Sequence, residues 1–188
     1  MERAAATQID TTKWYPWAGP DGLATITESG GSINLSPAPG NGGSQALVES
    51  IGTYELTNSS ASVQILSVVS ATGNVNTVFT VQLDWNNQLN WWYEYGYLYA
   101  NYVLNGVQYP VATLTYNPIV HAYWRLRESD GTTCWETSSD GTQWTLQATA
   151  PTSTLFSLKA LNYILSASEF STGNPTPGTA SFTNMNPP

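Results

Sequence analysis

Seven turn dipeptides punctuate this chain at short intervals: Asp21-Gly22, Gly30-Gly31, Gly42-Gly43, Asn86-Asn87, Asn105-Gly106, Asp130-Gly131 and Asp140-Gly141. Asn-Gly and Asp-Gly favour the positive-φ turns whose twist matches two antiparallel strands, so such pairs mark hairpins. Between the turns lie runs rich in Thr, Val, Tyr and Trp at 63–69, 77–85, 89–103, 107–115, 120–128, 132–138, 143–149 and 159–170. A last run at 180–183 follows the breaker Gly173-Asn174-Pro175-Thr176-Pro177-Gly178. Strands at this spacing build a sandwich or a barrel, and a single sandwich over 1–188 accounts for all of them. The loop at 36–43 is too short to link two domains, and no stretch has a helical period. The fold class expected is therefore all-β.

Charge narrows the function. Five Lys and Arg against 13 Asp and Glu give a formal net charge of −8, and five cations cannot neutralise a phosphate track. An ordinary nucleic-acid binder is excluded. Aromatic residues make up 12% of the chain, including 8 Trp and 11 Tyr, which collapse into a core rather than stay disordered. No apolar run is long enough to make a membrane-spanning helix, so no membrane insertion is expected. The start, Met1-Glu2-Arg3-Ala4-Ala5-Ala6, lacks the apolar stretch of a signal peptide. It fits a virion part or a segment of a longer extracellular protein. Cys134 is single, so neither an internal disulfide nor a cysteine zinc site is available. With the lone His121 it makes a weak candidate for thiol catalysis.

The stretch from His121 to Gln147 yields a register. If Asp130-Gly131 and Asp140-Gly141 are both central pairs of type I′ turns, Leu126 faces Trp135, Trp124 faces Thr137, Thr137 faces Trp144, and Trp135 faces Leu146. Trp124, Leu126, Trp135, Trp144 and Leu146 then share a core face. The opposite face carries Tyr123, Arg125, Arg127, Cys134, Glu136, Thr145 and Gln147, with Arg125 opposite Glu136. Those charges read either as a solvated cross-strand ion pair or as fixed donors and an acceptor for a ligand.

The block Tyr123-Trp124-Arg125-Leu126-Arg127-Glu128-Ser129-Asp130-Gly131, followed by Trp135-Glu136-Thr137-Ser138-Ser139-Asp140-Gly141-Thr142-Gln143-Trp144, resembles bacterial and bacteriophage modules of the concanavalin A-like lectin/glucanase superfamily. The resemblance extends to Asp10-Thr11-Thr12-Lys13-Trp14 and to Gly178-Thr179-Ala180-Ser181-Phe182-Thr183-Asn184. It implies a jelly-roll sandwich of two curved antiparallel sheets, one of which commonly holds carbohydrate. Relatives end on Phe-Asp-Asn where this chain has Phe182-Thr183-Asn184, so any role of that Asp is missing here.

Hydrolases of that superfamily carry a Glu-x-Asp-x-(x)-Glu run that alternation points into the cleft. This chain has no such run. Glu128-Ser129-Asp130 is interrupted by its turn, and Glu136 belongs to another strand. The expectation is therefore a non-catalytic, lectin-like or cell-surface attachment module, with a structural or oligomerisation domain of a virion as the alternative and a glycoside hydrolase disfavoured. The binding candidate is Trp91-Trp92-Tyr93-Glu94-Tyr95-Gly96-Tyr97-Leu98-Tyr99-Ala100-Asn101-Tyr102, where rings interleave with short polar groups. Pairing it through an Asn86-Asn87 turn sends Trp92 inward with Phe79, Val81, Leu83 and Trp85. Trp91, Tyr93 and Tyr95 then stack sugars, with Gln82, Asp84, Arg125, Arg127 and Glu136 as hydrogen-bonding partners. The partner expected is a glycan or cell-surface polysaccharide, at an extracellular or virion surface, with room for a homo-oligomer or larger assembly. No cofactor is implied. Calcium is compatible with the resemblance, but no Asp/Asn loop has its ligand spacing.

Overall fold

A computed structural model describes residues 9–20, 22–40, 42–172 and 176–186. Four short strands open the chain: β1 (Trp14–Trp17), β2 (Thr25–Ser29), β3 (Ser32–Ser36) and β4 (Ser44–Ser50). There follow β5 (Ser60–Ser67), β6 (Val75–Asp84), β7 (Asn87–Glu94), β8 (Tyr97–Leu104) and β9 (Val107–Thr115). The meander β10 (Tyr123–Ser129), β11 (Thr132–Ser138) and β12 (Thr145–Pro151) comes next, then β13 (Asn162–Glu169) and β14 (Ala180–Asn186). They form two antiparallel seven-stranded sheets, sheet A in the order β1-β4-β13-β6-β7-β8-β9 and sheet B in the order β12-β11-β10-β5-β14-β3-β2. This is a jelly-roll sandwich, as expected.

Alternation sorts each strand into an inner and an outer set. Val48, Leu165, Phe79, Val81, Leu89 and Leu98 of sheet A meet Leu35, Val63, Trp124, Leu126, Trp135 and Phe182 of sheet B in one buried cluster. Indoles tie the layers together. Trp91 on β7 donates its Nε1–H to the Arg125 carbonyl on β10 at 3.0 Å, and Trp135 on β11 donates to the Asn90 carbonyl on β7 at 3.0 Å. Each bond satisfies a polar handle that burial would otherwise leave orphaned.

One expected register holds and two do not. Asp130 and Gly131 have φ of 51° and 78°, and Arg125 pairs with Glu136, Leu126 with Trp135 and Trp124 with Thr137. At Asp140-Gly141 the hairpin is not a two-residue turn. The Asp140 carboxylate accepts the N–H groups of Thr142 and Gln143 at 2.7 and 2.8 Å, and a bulge between Trp135 and Glu136 shifts the pairing, so Glu136 faces Leu146. Trp144 and Leu146 therefore leave the expected core face, and Leu146 is exposed. The run 89–103 also divides. Tyr95 and Gly96, at φ 50° and 79°, form a hairpin turn between β7 and β8 that no turn dipeptide had marked.

The β6–β7 hairpin decides what the outer face displays. It turns at Trp85-Asn86, pairing Asp84 with Asn87, and Leu83 bulges out of register before Gln82 pairs with Gln88. Shifting the turn alone would keep Trp92 inward. The extra residue at Leu83 makes the offset odd, and an odd offset exchanges the two faces of a strand. Trp91 now faces Phe79 and Trp92 faces Val78.

Candidate functional site

The aromatic contacts expected on β7 are redistributed. Trp91 is fully buried and Tyr93 is buried against Tyr116 with ring centroids 4.9 Å apart, so neither can stack a sugar. Tyr95 is half exposed at a turn tip, on no strand face. Gln82 lies on the outer face of sheet A, but it is buried and accepts from Gln88 Nε2 at 3.2 Å. Asp84 is committed to its own turn, accepting from Asn86 N at 2.8 Å and Asn87 Nδ2 at 3.0 Å.

Arg125, Arg127 and Glu136 do come together, on the outer face of sheet B and so on the opposite side of the sandwich. Arg125 Nε donates to Glu136 Oε2 at 2.6 Å and Arg127 Nη2 to Oε1 at 2.9 Å. The Trp144 ring covers the Arg125 guanidinium at 4.0 Å. With its carboxylate forked between two guanidiniums, Glu136 has few acceptor positions left for a ligand. Burial pushes its proton affinity up, but the bonds from Arg127 and Arg125 outweigh this and hold the carboxyl below its usual range. The lowered value means stability that is present above the unfolded-state pKa and lost as pH falls through the folded one. Glu136→Gln leaves two half-buried guanidiniums short of a counter-charge. It is expected to cost about 2–3 kcal/mol near neutrality, at or below the lower end for breaking a buried pair because both arginines reach solvent. The deficit against wild type should shrink in melts taken below about pH 4. A pH-independent deficit would show that packing, not charge, is lost.

Glu128 is likewise structural. Buried at the end of β10, it accepts the N–H of Asn58 at 2.6 Å and of Gly131 at 2.8 Å. Among the described residues no group of three or more His, Cys, Asp or Glu side chains could hold a metal ion.

The face freed by the β7 register is the outer surface of sheet A. One cross-strand row runs over all seven strands: Trp17, Leu47, Ser166, Val78, Trp92, Tyr99 and Thr113. At one spacing per strand it extends roughly 29 Å. Beside it runs a row of amides and hydroxyls. Thr80 Oγ1 donates to Asn90 Oδ1 at 2.7 Å, and Asn90 Nδ2 donates to Asn101 Oδ1 at 3.0 Å. Asn101 Nδ2 is buried and has no partner. Trp85 overhangs the same face, lining one cavity of about 440 Å³ with Tyr15, Trp17, Leu47 and Glu49 and a smaller one with Trp92.

Glu94 stands on this face at the end of β7, opposite Asn76 on β6 and Tyr97 on β8. Burial raises its pKa, and the neighbouring Trp92 indole offsets this only in part. Burial, then the charge of Glu94, raises Tyr99 as well. A carboxyl that holds its proton more tightly than usual, beside partly exposed rings, can serve as a proton donor to a bound oxygen. Its alternation with Trp92, Asn90 and Gln88 is visible in the sequence, but only the Leu83 bulge says which alternate set faces out.

Solved structures share this jelly-roll architecture. No protein-family model matches the sequence, and no curated protein sequence does. Similar solved structures include a glycosyl hydrolase family protein from Mycobacterium fortuitum, with TM-score 0.66 and 11% identity over 96% of this chain and 93% of that one. The Crh5 transglycosylase in complex with NAG has TM-score 0.65 and 11% identity over 97% and 83%. The carbohydrate binding module CBM66 from Bacillus subtilis has TM-score 0.55 and 12% identity over 92% and 93%. The neighbours are mainly glycoside hydrolases and transglycosylases. The expectation of a non-catalytic lectin-like module is thereby corrected: it rested on the missing carboxylate run, and the fold is shared chiefly with enzymes.

Proposed function

We propose that the domain processes a neutral glycan, as a glycoside hydrolase or transglycosylase, on the outer face of sheet A, with Glu94 as the proton donor. The observation that carries this reading is a carboxyl of raised pKa set in the same face as the Trp92–Tyr99 stretch of the aromatic row. Rings take the C–H faces of sugars, and the amide row supplies hydroxyl partners. Neutrality follows from the four cations among the described residues. Arg125 and Arg127 lie on the other sheet, and Lys13 and Lys159 pair with Asp10 and Glu55. Glu49 stands three strands from Glu94, roughly 14 Å across the sheet. That exceeds the roughly 6.5–9.5 Å separation of paired carboxylates in inverting enzymes, so Glu94 alone is assigned a role.

The test is a panel of neutral β- and α-linked polysaccharides, with new reducing ends and transfer products read by mass spectrometry. Turnover of at least one substrate is expected. Trp92→Ala should weaken its binding about tenfold or more, on the scale of the roughly 1–3 kcal/mol that a nucleobase gains by stacking on a protein ring, while Tyr95→Ala leaves it unchanged. Binding without any product would overturn the catalytic assignment.

A further inference from the structure

Trp85, Trp92 and Phe170 line a pocket of about 100 Å³ on this face, together with Val78, Ile164 and Asn76. Asn76 is only 1% exposed, yet its Oδ1 has no hydrogen-bond partner. A buried amide oxygen left unpaired is costly, and one that lines a pocket with both polar and apolar walls can take a hydrogen bond from a ligand seated there. A primary amide presents an acceptor and a donor side by side, and half a turn about its bond only exchanges them. In a trans N-acetyl group the N–H and the methyl lie on the same side, so one such group can donate to Oδ1 while its methyl meets the apolar wall. A hydroxyl would satisfy one atom but leave Val78 and Ile164 facing water.

We propose that the pocket receives the acetamido group of an N-acetylated hexosamine, its N–H donated to Asn76 and its methyl packed on Val78 and Ile164. This rests on the reading that the face holds a glycan, and it names the kind of sugar. The pocket then acts as a specificity device: besides the bond, the acetamido group gains an apolar burial that a plain hydroxyl cannot.

The experiment compares tetramers of N-acetylglucosamine and of glucose with the same linkage, titrated into the wild-type protein by calorimetry. The acetylated tetramer is expected to bind at least tenfold more tightly. Asn76→Leu and Val78→Phe, the second of which fills the pocket and keeps the amide, should each bring the two within threefold of one another. Melting curves establish that the variants fold, and the wild-type ratio decides alone if they do not. Equal binding of both tetramers by wild type overturns the pocket assignment and leaves the glycan face standing. Binding of neither overturns both.

Discussion

Trp91→Ala is expected to lose about 4 kcal/mol of stability or more, a fall in Tm of roughly 8–16 °C for a chain of this size, whereas its neighbour Trp92→Ala should lose about 1 kcal/mol. The difference comes from the faces. Trp91 is fully buried beside Trp124, with centroids 6.4 Å apart, and its indole bonds the Arg125 carbonyl of the opposite sheet. Truncation removes the ring, opens a cavity and leaves a buried carbonyl without its donor. Trp92 is half-buried on the outer face, and its loss mainly exposes neighbours to solvent. Paired thermal or urea melts of the two variants check this. The reverse order of stabilities would mean that β7 is threaded the other way up and that the outer-face site does not exist.

Glu94→Gln is expected to lower turnover by about 100-fold or more, the range for removing a general acid. The isosteric amide keeps the shape but has no acidic proton to give. Its sign with pH is fixed by burial. Because the folded carboxyl holds its proton above the ordinary range, wild-type activity should fall as pH rises through that raised pKa, and Glu94→Gln should lose this limb. Stability runs the other way. Ionising a group whose folded pKa is raised costs stability once pH exceeds the unfolded value, so the amide variant should melt no lower than wild type near neutrality. A kcat/KM profile against pH with parallel melts reads both effects. Activity within threefold of wild type would remove Glu94 from the proton-donor role.

Much of the sandwich was legible without coordinates. Asp130-Gly131 demands positive φ at both positions, so it set the β10–β11 register and brought Arg125 opposite Glu136 before any contact was known. Asn105-Gly106 closes β8 onto β9 in the same manner. The four short strands before residue 60 carried weaker patterning, and β1 includes Pro16, which a strand at the edge of a sheet tolerates.

The candidate site was legible as an aromatic run but not as a surface. Trp91, Trp92, Tyr93 and Glu94 alternate whichever way the strand lies, and either alternate set supplies rings. The choice was made by one bulged residue, Leu83, whose preference for leaving the ladder is written in no local pattern. Periodicity and turn chemistry are properties of neighbours in the chain, so this sequence by itself determined an all-β fold, its best hairpins and the pairing of two arginines with one glutamate. Which tryptophan joins the core, and which stands beside Glu94 on a solvent face, depends on how sheet A packs against sheet B. Only the tertiary structure decided that, because the inward place goes to the ring that finds a partner across the interior, and for Trp91 the partner is the carbonyl of Arg125.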